Sequence, residues 1–204
     1  MCDFAPYLIG SFNTSISFGN ITLTSSGSDD IFVARFDKAG NVIWAKNFGS
    51  SGSDSASRLT ADREGNLYLT GSFSNSISFG STTLTSAGSE DIFVTKLDST
   101  GNVVWAKNFG GSSADFASST HIDSTGNLYL VGSFSNSISF SNTTLTSAGS
   151  EDIFVTKLDS TGNVVWAKTL AVVELTRQIR CWTKPVIFTL PAVSATALAS
   201  AAPP

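Results

Sequence analysis

The sequence predicts an all-β fold, and three features of the chain carry this prediction. A stretch of 61 residues is repeated in tandem, so that Trp44, Trp105 and Trp166 occupy the same place in three successive copies. Within each copy, short apolar runs alternate with turn-forming residues, as in half-buried strands. No segment shows a helical period of useful length. Tandem periods of this kind are typical of arrays in which each unit packs against its neighbours.

Four strands are expected in each unit, and the middle copy shows them in order. The weak run SRLTAD, residues 57–62, predicts the first strand, and LYLTGSF, residues 67–73, alternates apolar and polar side chains like a strand buried on one face. DIFVTKLD and NVVWAKNF, residues 91–98 and 102–109, are rich in the β-branched and aromatic residues that strands prefer. Between the second and third predicted strands, residues 76–89 predict an additional hairpin or a long loop.

The recurring phrases DKAGN, DREGN and DSTGN predict the turns between strands. Aspartate can accept hydrogen bonds from the backbone two residues on, and glycine supplies a positive φ at little cost. The alternative interpretation is a calcium loop. It requires several oxygen ligands at alternate positions and a distal glutamate, whereas these phrases supply one or two carboxylates. We therefore interpret them as turns.

Four strands in each of several radially repeated units describe a partial β-propeller of about three four-stranded antiparallel blades. The period exceeds the length of common blade repeats, and the extra hairpin accounts for the excess. The alternative is a β-solenoid, whose rungs are usually shorter and lack the long antiparallel alternation seen here.

Two longer motifs recur in the repeat. The first, A-D-x-A followed by D-x-x-G-N-x-Y-x-x-G-x-F, is carried by Ala114, Asp115, Ala117, Asp123, Gly126, Asn127, Tyr129, Gly132 and Phe134. The second, D-x-F-V-x-K-x-D-x-x-G-N-x-x-W-A-K-x-F-G-G, is carried by Asp91, Phe93, Val94, Lys96, Asp98, Gly101, Asn102, Trp105, Ala106, Lys107, Phe109, Gly110 and Gly111. In these motifs the repeat resembles a known family, the bacterial β-propeller repeat called SBBP. The resemblance covers residues 7–168 and implies a propeller in secreted or surface proteins of bacteria, with no defined chemistry.

Three regions follow from the repeats: a non-repeat start at residues 1–6, the tandem repeats at 7–168, and a non-repeat tail at 169–204. Our hypothesis is that the tail is a frameshift product, because loss of one base after the Lys168 codon allows codons that read back as NFGGS and the rest of another repeat. The alternative is a genuine extension or membrane anchor, but Pro191 interrupts its apolar part. On the frameshift interpretation, the chain is a truncated part of a longer propeller.

Composition narrows the possible partners. Charged residues make up 14% of the 204 residues and the net charge is −4, which favours neither nucleic acid nor an anionic membrane surface. Cys2 and Cys181 lie outside the repeats and indicate no disulfide or metal framework. We expect no cofactor and no membrane insertion. MCDFAP contains no export signal, so we expect an extracellular or cell-surface parent protein to carry its signal elsewhere.

The candidate site residues are those that recur. Trp44, Trp105 and Trp166 could form a ligand platform, although a tryptophan at a fixed blade position is more often part of the core between blades. His121 is the single histidine, and we interpret it as a surface or edge-strand residue rather than a catalytic one. The aspartates that open each DIFV run, together with the acidic residue before each, could form a negatively charged rim, or simply cap solvated loops: Asp30, Asp91 and Asp152.

Function is predicted from the near identity of the units. Residues 65–107 and 126–168 differ at only three positions, whereas a catalytic site usually needs different residues converging from different places. We therefore expect a structural scaffold rather than an enzyme, presenting blade loops for protein or surface contact. The alternative is a carbohydrate-binding propeller. Self-association through open blade faces is also expected, because apolar faces without a neighbouring blade favour association.

Overall fold

The computed structural model describes residues 6–170, 180–182 and 187–189. Every helix or strand element in these parts of the chain is a β-strand, which confirms the all-β prediction. The strands are β1 (Tyr7–Phe12), β2 (Ser15–Phe18), β3 (Ile21–Thr24), β4 (Asp30–Phe36), β5 (Val42–Phe48), β6 (Asp54–Ala61), β7 (Leu67–Phe79), β8 (Thr82–Leu97), β9 (Val103–Phe109), β10 (Asp115–Ile122), β11 (Leu128–Phe134), β12 (Ser137–Phe140), β13 (Thr143–Thr146), β14 (Asp152–Leu158), β15 (Val164–Leu170), β16 (Arg180–Trp182) and β17 (Ile187–Thr189).

Three antiparallel sheets follow one another along the chain. The first has the order β1-β4-β5, the second β6-β7-β8-β9 and the third β10-β11-β14-β15, and we call them blades one, two and three. Apart from a small hairpin inserted in blades one and three, each strand pairs with the next along the chain, as in a propeller blade. Blade one has three strands in the described residues because its counterpart of β6 is not among them. The sheets do not close into a ring, so the fold is consistent with a partial propeller.

The segment between the second and third blade strands is a hairpin, which was one of the two predicted possibilities. β2 pairs with β3 in blade one, and β12 pairs with β13 in blade three. In blade two the same hairpin is formed by the ends of β7 and β8, where Phe79 pairs with Thr82. We call these the outer hairpins.

The middle blade is buried on both faces, not on one as the alternating pattern predicted. All residues of β7 from Leu67 to Phe73 are buried. Leu67 and Leu69 pack in a cluster with blade one, whereas Tyr68, also fully buried, packs in a cluster with blade three. Apolar and polar side chains do alternate along this strand, but each of its two faces packs against a neighbouring blade. The hydroxyl-bearing side chains in this part of the strand are therefore buried as well.

A row of phenylalanine rings crosses each junction between blades. Between blades one and two, Phe48 lies 5.2 Å from Phe79, which lies 5.3 Å from Phe93. Between blades two and three, the equivalent ring spacings are 5.2 and 5.1 Å, through Phe109, Phe140 and Phe154. The middle ring of each row belongs to the outer hairpin. Ring pairs at these spacings add about 0.5–1.5 kcal/mol each to the apolar burial, so the outer hairpin is an integral part of the junction.

The tail is described only in part. β15 continues to Leu170, and β16 pairs with β17 in a separate short hairpin. The remaining residues after 170, and residues 1–5, lie outside the described residues. The frameshift hypothesis therefore stays a prediction.

Replacing Gly132 should destabilise blade three. A Cβ atom at this position would lie 2.6 Å from Cε1 of Phe154 and would also meet the carbonyl oxygen of Phe116, so both neighbours would have to shift. We expect Gly132→Ala to lower the free energy of unfolding by about 2 kcal/mol, measured by urea unfolding. The control is Gly149→Ala, where an added Cβ meets nothing within 4 Å. Equal stability of the two variants would contradict this packing.

Candidate functional site

The recurring tryptophans occupy equivalent positions in the last strand of each blade. Their cross-strand partners are Arg35 for Trp44, Lys96 for Trp105 and Lys157 for Trp166. The common register confirms that the three sheets are copies of one blade.

Trp44 and Trp105 lie against the next blade. A Cβ atom at Gly101 would lie 3.0 Å from the indole of Trp44, and one at Gly162 would lie 3.1 Å from that of Trp105. Both glycines belong to DSTGN turns and have φ near +80°, at 79° and 82°. Glycine is therefore required there twice over, for the positive φ and for the close approach of the indole.

The three tryptophans do not form a common platform. The indole Nε1 of Trp105 donates a hydrogen bond to the carbonyl oxygen of Ser160 in the next blade, at 3.3 Å. A ligand stacked on Trp44 or Trp105 would have to replace the next blade. Trp166 is 36% exposed and lies 6.3 Å from the ring of Tyr129, so it alone offers part of an aromatic face.

A cation lies over a tyrosine ring in each blade, close to the tryptophan. Arg35 lies 5.6 Å from the ring centre of Tyr7, Lys96 lies 5.1 Å from that of Tyr68, and the same pair recurs in blade three. Lys96 also approaches Asp62 at 4.0 Å. These contacts hold the cationic side chains against the sheet, where they cover aromatic surface.

The DSTGN-type turns use the aspartate oxygens internally. In one example, Oδ1 of Asp98 accepts hydrogen bonds from the backbone N–H groups of Thr100 and Asn102, at 2.8 and 2.9 Å. The side chain of Asn102 donates to Oδ2 at 3.0 Å. The hydroxyl of Thr100, together with these donors, lowers the pKa of Asp98 to about 2. The turn interpretation thus accounts for every oxygen of this carboxylate.

The expected acidic rim is wrong for the aspartates that open the DIFV runs. Asp30 and Asp91 are fully buried, and Asp152 is 1% exposed. In each, Oδ2 accepts a hydrogen bond from the backbone N–H four residues earlier, at 2.8–3.0 Å. All three residues face protein rather than solvent, and the chain at Gly49 and Gly110 packs directly against the carboxyl groups of Asp30 and Asp91.

Two further aspartates, missed as site candidates, are buried beside them. Asp54 and Asp115 open the first strand of blades two and three, and each is fully buried. The backbone N–H of Asp54 donates to the carbonyl oxygen of Asp29 at 2.7 Å, which places Asp54 next to Asp30. The recurring aspartate of the A-D-x-A motif was visible in the sequence. A single carboxylate in a weak strand, however, does not show that a second buried aspartate lies beside it.

These buried carboxyls hold their protons unusually tightly. Burial, together with the negative charge of Asp30, raises the pKa of Asp54 to about 7. Burial and the charge of Asp91 do the same to Asp115, whose pKa is also raised to about 7. Burial also raises the pKa of Asp91. Within the described residues, no group of three or more His, Cys, Asp or Glu side chains is arranged to hold a metal ion.

His121 lies on β10, opposite Tyr129, and is partly exposed. In the part of the chain that the structure describes, no hydrogen bond joins it to a serine or an aspartate. The described residues also include no helix with the length and apolar character needed to cross a bilayer.

Consecutive antiparallel sheets that pack face to face are consistent with a partial β-propeller built from repeated blades. The family model of SBBP, described as a beta-propeller repeat, matches residues 43–76. The matched segment runs from β5 of blade one to β7 of blade two and includes the junction between them, so this part of the chain is similar to an SBBP repeat. No curated protein matches the chain.

Trp105 and Trp166 should differ sharply in their contribution to stability. Trp105→Ala removes an indole packed between two blades, and we expect it to lower the free energy of unfolding by about 3 kcal/mol. Trp166→Ala removes the same side chain from a more open face and should cost no more than about 1 kcal/mol. Urea unfolding followed by circular dichroism measures both. Similar losses would show that the next blade does not stabilise the indole.

The turn aspartates should stabilise the fold only above strongly acidic pH. The folded-state pKa of Asp98 lies below its ordinary value, so its contribution is present above about pH 4 and is lost as the pH falls through about 2. Asp98→Ala should therefore lower the melting temperature at pH 6, and the difference from the unmodified chain should shrink towards pH 2. Ser99→Ala, in the same turn, is the control. A difference that is constant with pH would contradict the assignment.

Proposed function

We propose that the chain is part of a non-catalytic repeat scaffold of a secreted or cell-surface bacterial protein, which presents its outer hairpins for contact with proteins or surfaces. The observation that supports this function is a polar patch that recurs in every blade. It consists of facing hydroxyls across each outer hairpin: Ser17 with Thr22 at 2.9 Å, Ser78 with Thr83 at 3.1 Å, and Ser139 with Thr144 at 3.2 Å.

The patches are held rigidly. On the opposite side of the outer hairpins of blades two and three, an isoleucine and a phenylalanine pack into the blade junctions; in blade two these are Ile77 and Phe79, which are buried. In blade one, Ile16 and Phe18 are partly buried and pack against their own blade. Thr22, Thr83 and Thr144 remain exposed. A preformed surface loses little entropy on binding, and three copies on one chain can raise the avidity for a repetitive target well above that of one patch.

The absence of catalysis is part of the proposal and rests on the repetition itself. A reaction centre is assembled from residues with different roles, whereas blades two and three place the same residues in the same positions. The low content of charged residues supports a partner other than nucleic acid.

Binding should depend on the outer hairpins. We expect the chain to bind members of an array of purified extracellular-matrix proteins. Thr83→Lys/Thr144→Lys should weaken that binding at least about tenfold, because only one of the three patches is left unmodified and the gain from multivalent binding is lost. The control, Ser99→Lys/Ser160→Lys, adds the same charge in the turns, where blade one already carries Lys38. Unchanged binding by the hairpin variant, or equal loss in the control, would reject the hairpins as the contact surface.

A carbohydrate-binding function is the second candidate, and the open face of Trp166 favours it. Aromatic faces offer apolar contact and partial charges that suit sugar rings. Binding on a glycan array that Trp166→Ala abolishes, and that Thr83→Lys/Thr144→Lys leaves intact, would assign this function instead.

Self-association is a further part of the proposal. Leu8 on blade one and Leu170 on blade three are each 48% exposed. In blade two, the residue equivalent to Leu8 is Leu69, which is buried against blade one. A second copy of the chain presents a face of the kind that covers each of them internally. Light scattering after gel filtration tests this, and a monodisperse monomer at high concentration would reject it.

A further inference from the structure

The junction between adjacent blades encloses a pair of carboxyl groups, which we call the junction pair. Asp30 and Asp54 form it between blades one and two, and Asp91 and Asp115 form it between blades two and three. All four side chains are completely buried. The pair recurs, so it is a property of the junction and not of one loop.

Each carboxyl group of a junction pair is only half satisfied. Oδ2 of Asp54 accepts the backbone N–H of Ser50 at 3.1 Å, and Oδ2 of Asp115 accepts that of Gly111 at 2.8 Å. The Oδ1 atoms accept no hydrogen bond in any of the four residues: Asp30, Asp54, Asp91 and Asp115. The backbone N–H of Ser135 nevertheless lies near enough to the Asp115 carboxyl group to lower its pKa. A buried polar atom without a partner is costly, so the structure leaves one acceptor on each carboxyl group for something else.

The local charge also requires compensation. Asp29 lies alongside the first pair, with its Oδ2 3.4 Å from the hydroxyl of Ser53, and adds negative charge. The neighbouring donors are neutral: Asn47 reaches Asp30 at 3.4 Å, and the side chain of Asn108 lies close enough to Asp91 to lower its pKa. In the described part of the chain, no ion pair joins a lysine, arginine or histidine to a junction pair. Two adjacent buried carboxylates cannot both ionise without a counter-charge.

The tight packing around the pairs favours the smallest cation, a proton. A Cβ atom at Gly49 or Gly110 would collide with the carboxyl group of Asp30 or Asp91, so main chain already lies directly against these groups. A metal ion would need several more oxygen ligands, whereas a proton requires only the two carboxyl groups.

We propose that each junction pair holds one proton, so that the coupling between neighbouring blades is stronger at mildly acidic pH than above neutral pH. In the unfolded chain the aspartates ionise near pH 4, whereas the folded chain retains these protons to about pH 7. The folded state therefore binds more protons between these values. Its stability falls as the pH rises through this window and levels off above it.

Thermal unfolding of the full chain between pH 4.5 and 8.5 tests the proposal. We expect the melting temperature to fall by roughly 5 °C or more across this range. Asp54→Asn/Asp115→Asn replaces one acid of each pair by a neutral amide of the same shape; its melting temperature should vary much less with pH and should exceed that of the unmodified chain at pH 8. Glu90→Gln, next to Asp91, is the control and should keep the original dependence. His121 is present in every variant, so any contribution it makes to the pH dependence of the melting temperature cancels when the variants are compared.

An infrared measurement keeps the test decisive if the double variant does not fold. The unmodified chain should show a protonated carboxyl band at pH 5 that disappears with a midpoint near pH 7. Absence of that band in the folded chain, or an unchanged pH dependence in the double variant, would overturn the proposal. So would stabilisation by calcium at pH 8 that requires Asp54 and Asp115, because a metal ion would then compensate the pairs.

Discussion

The structure depends on the face-to-face packing of one blade against the next. Blades one and two are not closed units: the last strand of each contributes a tryptophan and a phenylalanine that contact the following blade. Trp44 and Trp105 lie over turn glycines, and the rows that pass through Phe79 and Phe140 span the junctions. Apolar burial of this kind is the dominant favourable term in folding. The outer hairpins, the turns and the buried carboxyl groups are all arranged around it.

Much of the fold could be predicted from local pattern. The turns DKAGN, DREGN and DSTGN and the runs beginning DIFV lie where the sequence predicts them, because aspartate, glycine and β-branched residues impose their preferences over a few residues. The first strand of blade two was less well predicted: it runs from Asp54 to Ala61, earlier than its weak apolar run suggests. The merging of the outer hairpin into β7 and β8 was not predictable, since the other two blades have the same hairpin as separate strands.

The buried aspartates show where local pattern fails. From local sequence alone, an acidic residue before an apolar run is predicted to lie exposed at the start of a strand, and this is the prediction for Asp91. Its burial depends on the linking segment of the next blade, where Gly110 packs against its carboxyl group. For the same reason Tyr68 is enclosed although alternation places it opposite the apolar face of its strand. Such contacts are tertiary, and the sequence does not place the neighbouring blade.

The position of the tryptophan gives the array a direction. The indoles of Trp44 and Trp105 are each covered by a turn of the blade that follows in the chain, whereas Trp166 of blade three stays partly exposed. The two ends are therefore chemically unequal: loss of blade three uncovers the indole of Trp105, whereas loss of blade one uncovers no indole of blade two. A blade added at the C-terminal end of such an array covers the indole of the blade before it. The number of covered indoles therefore equals the number of junctions between blades.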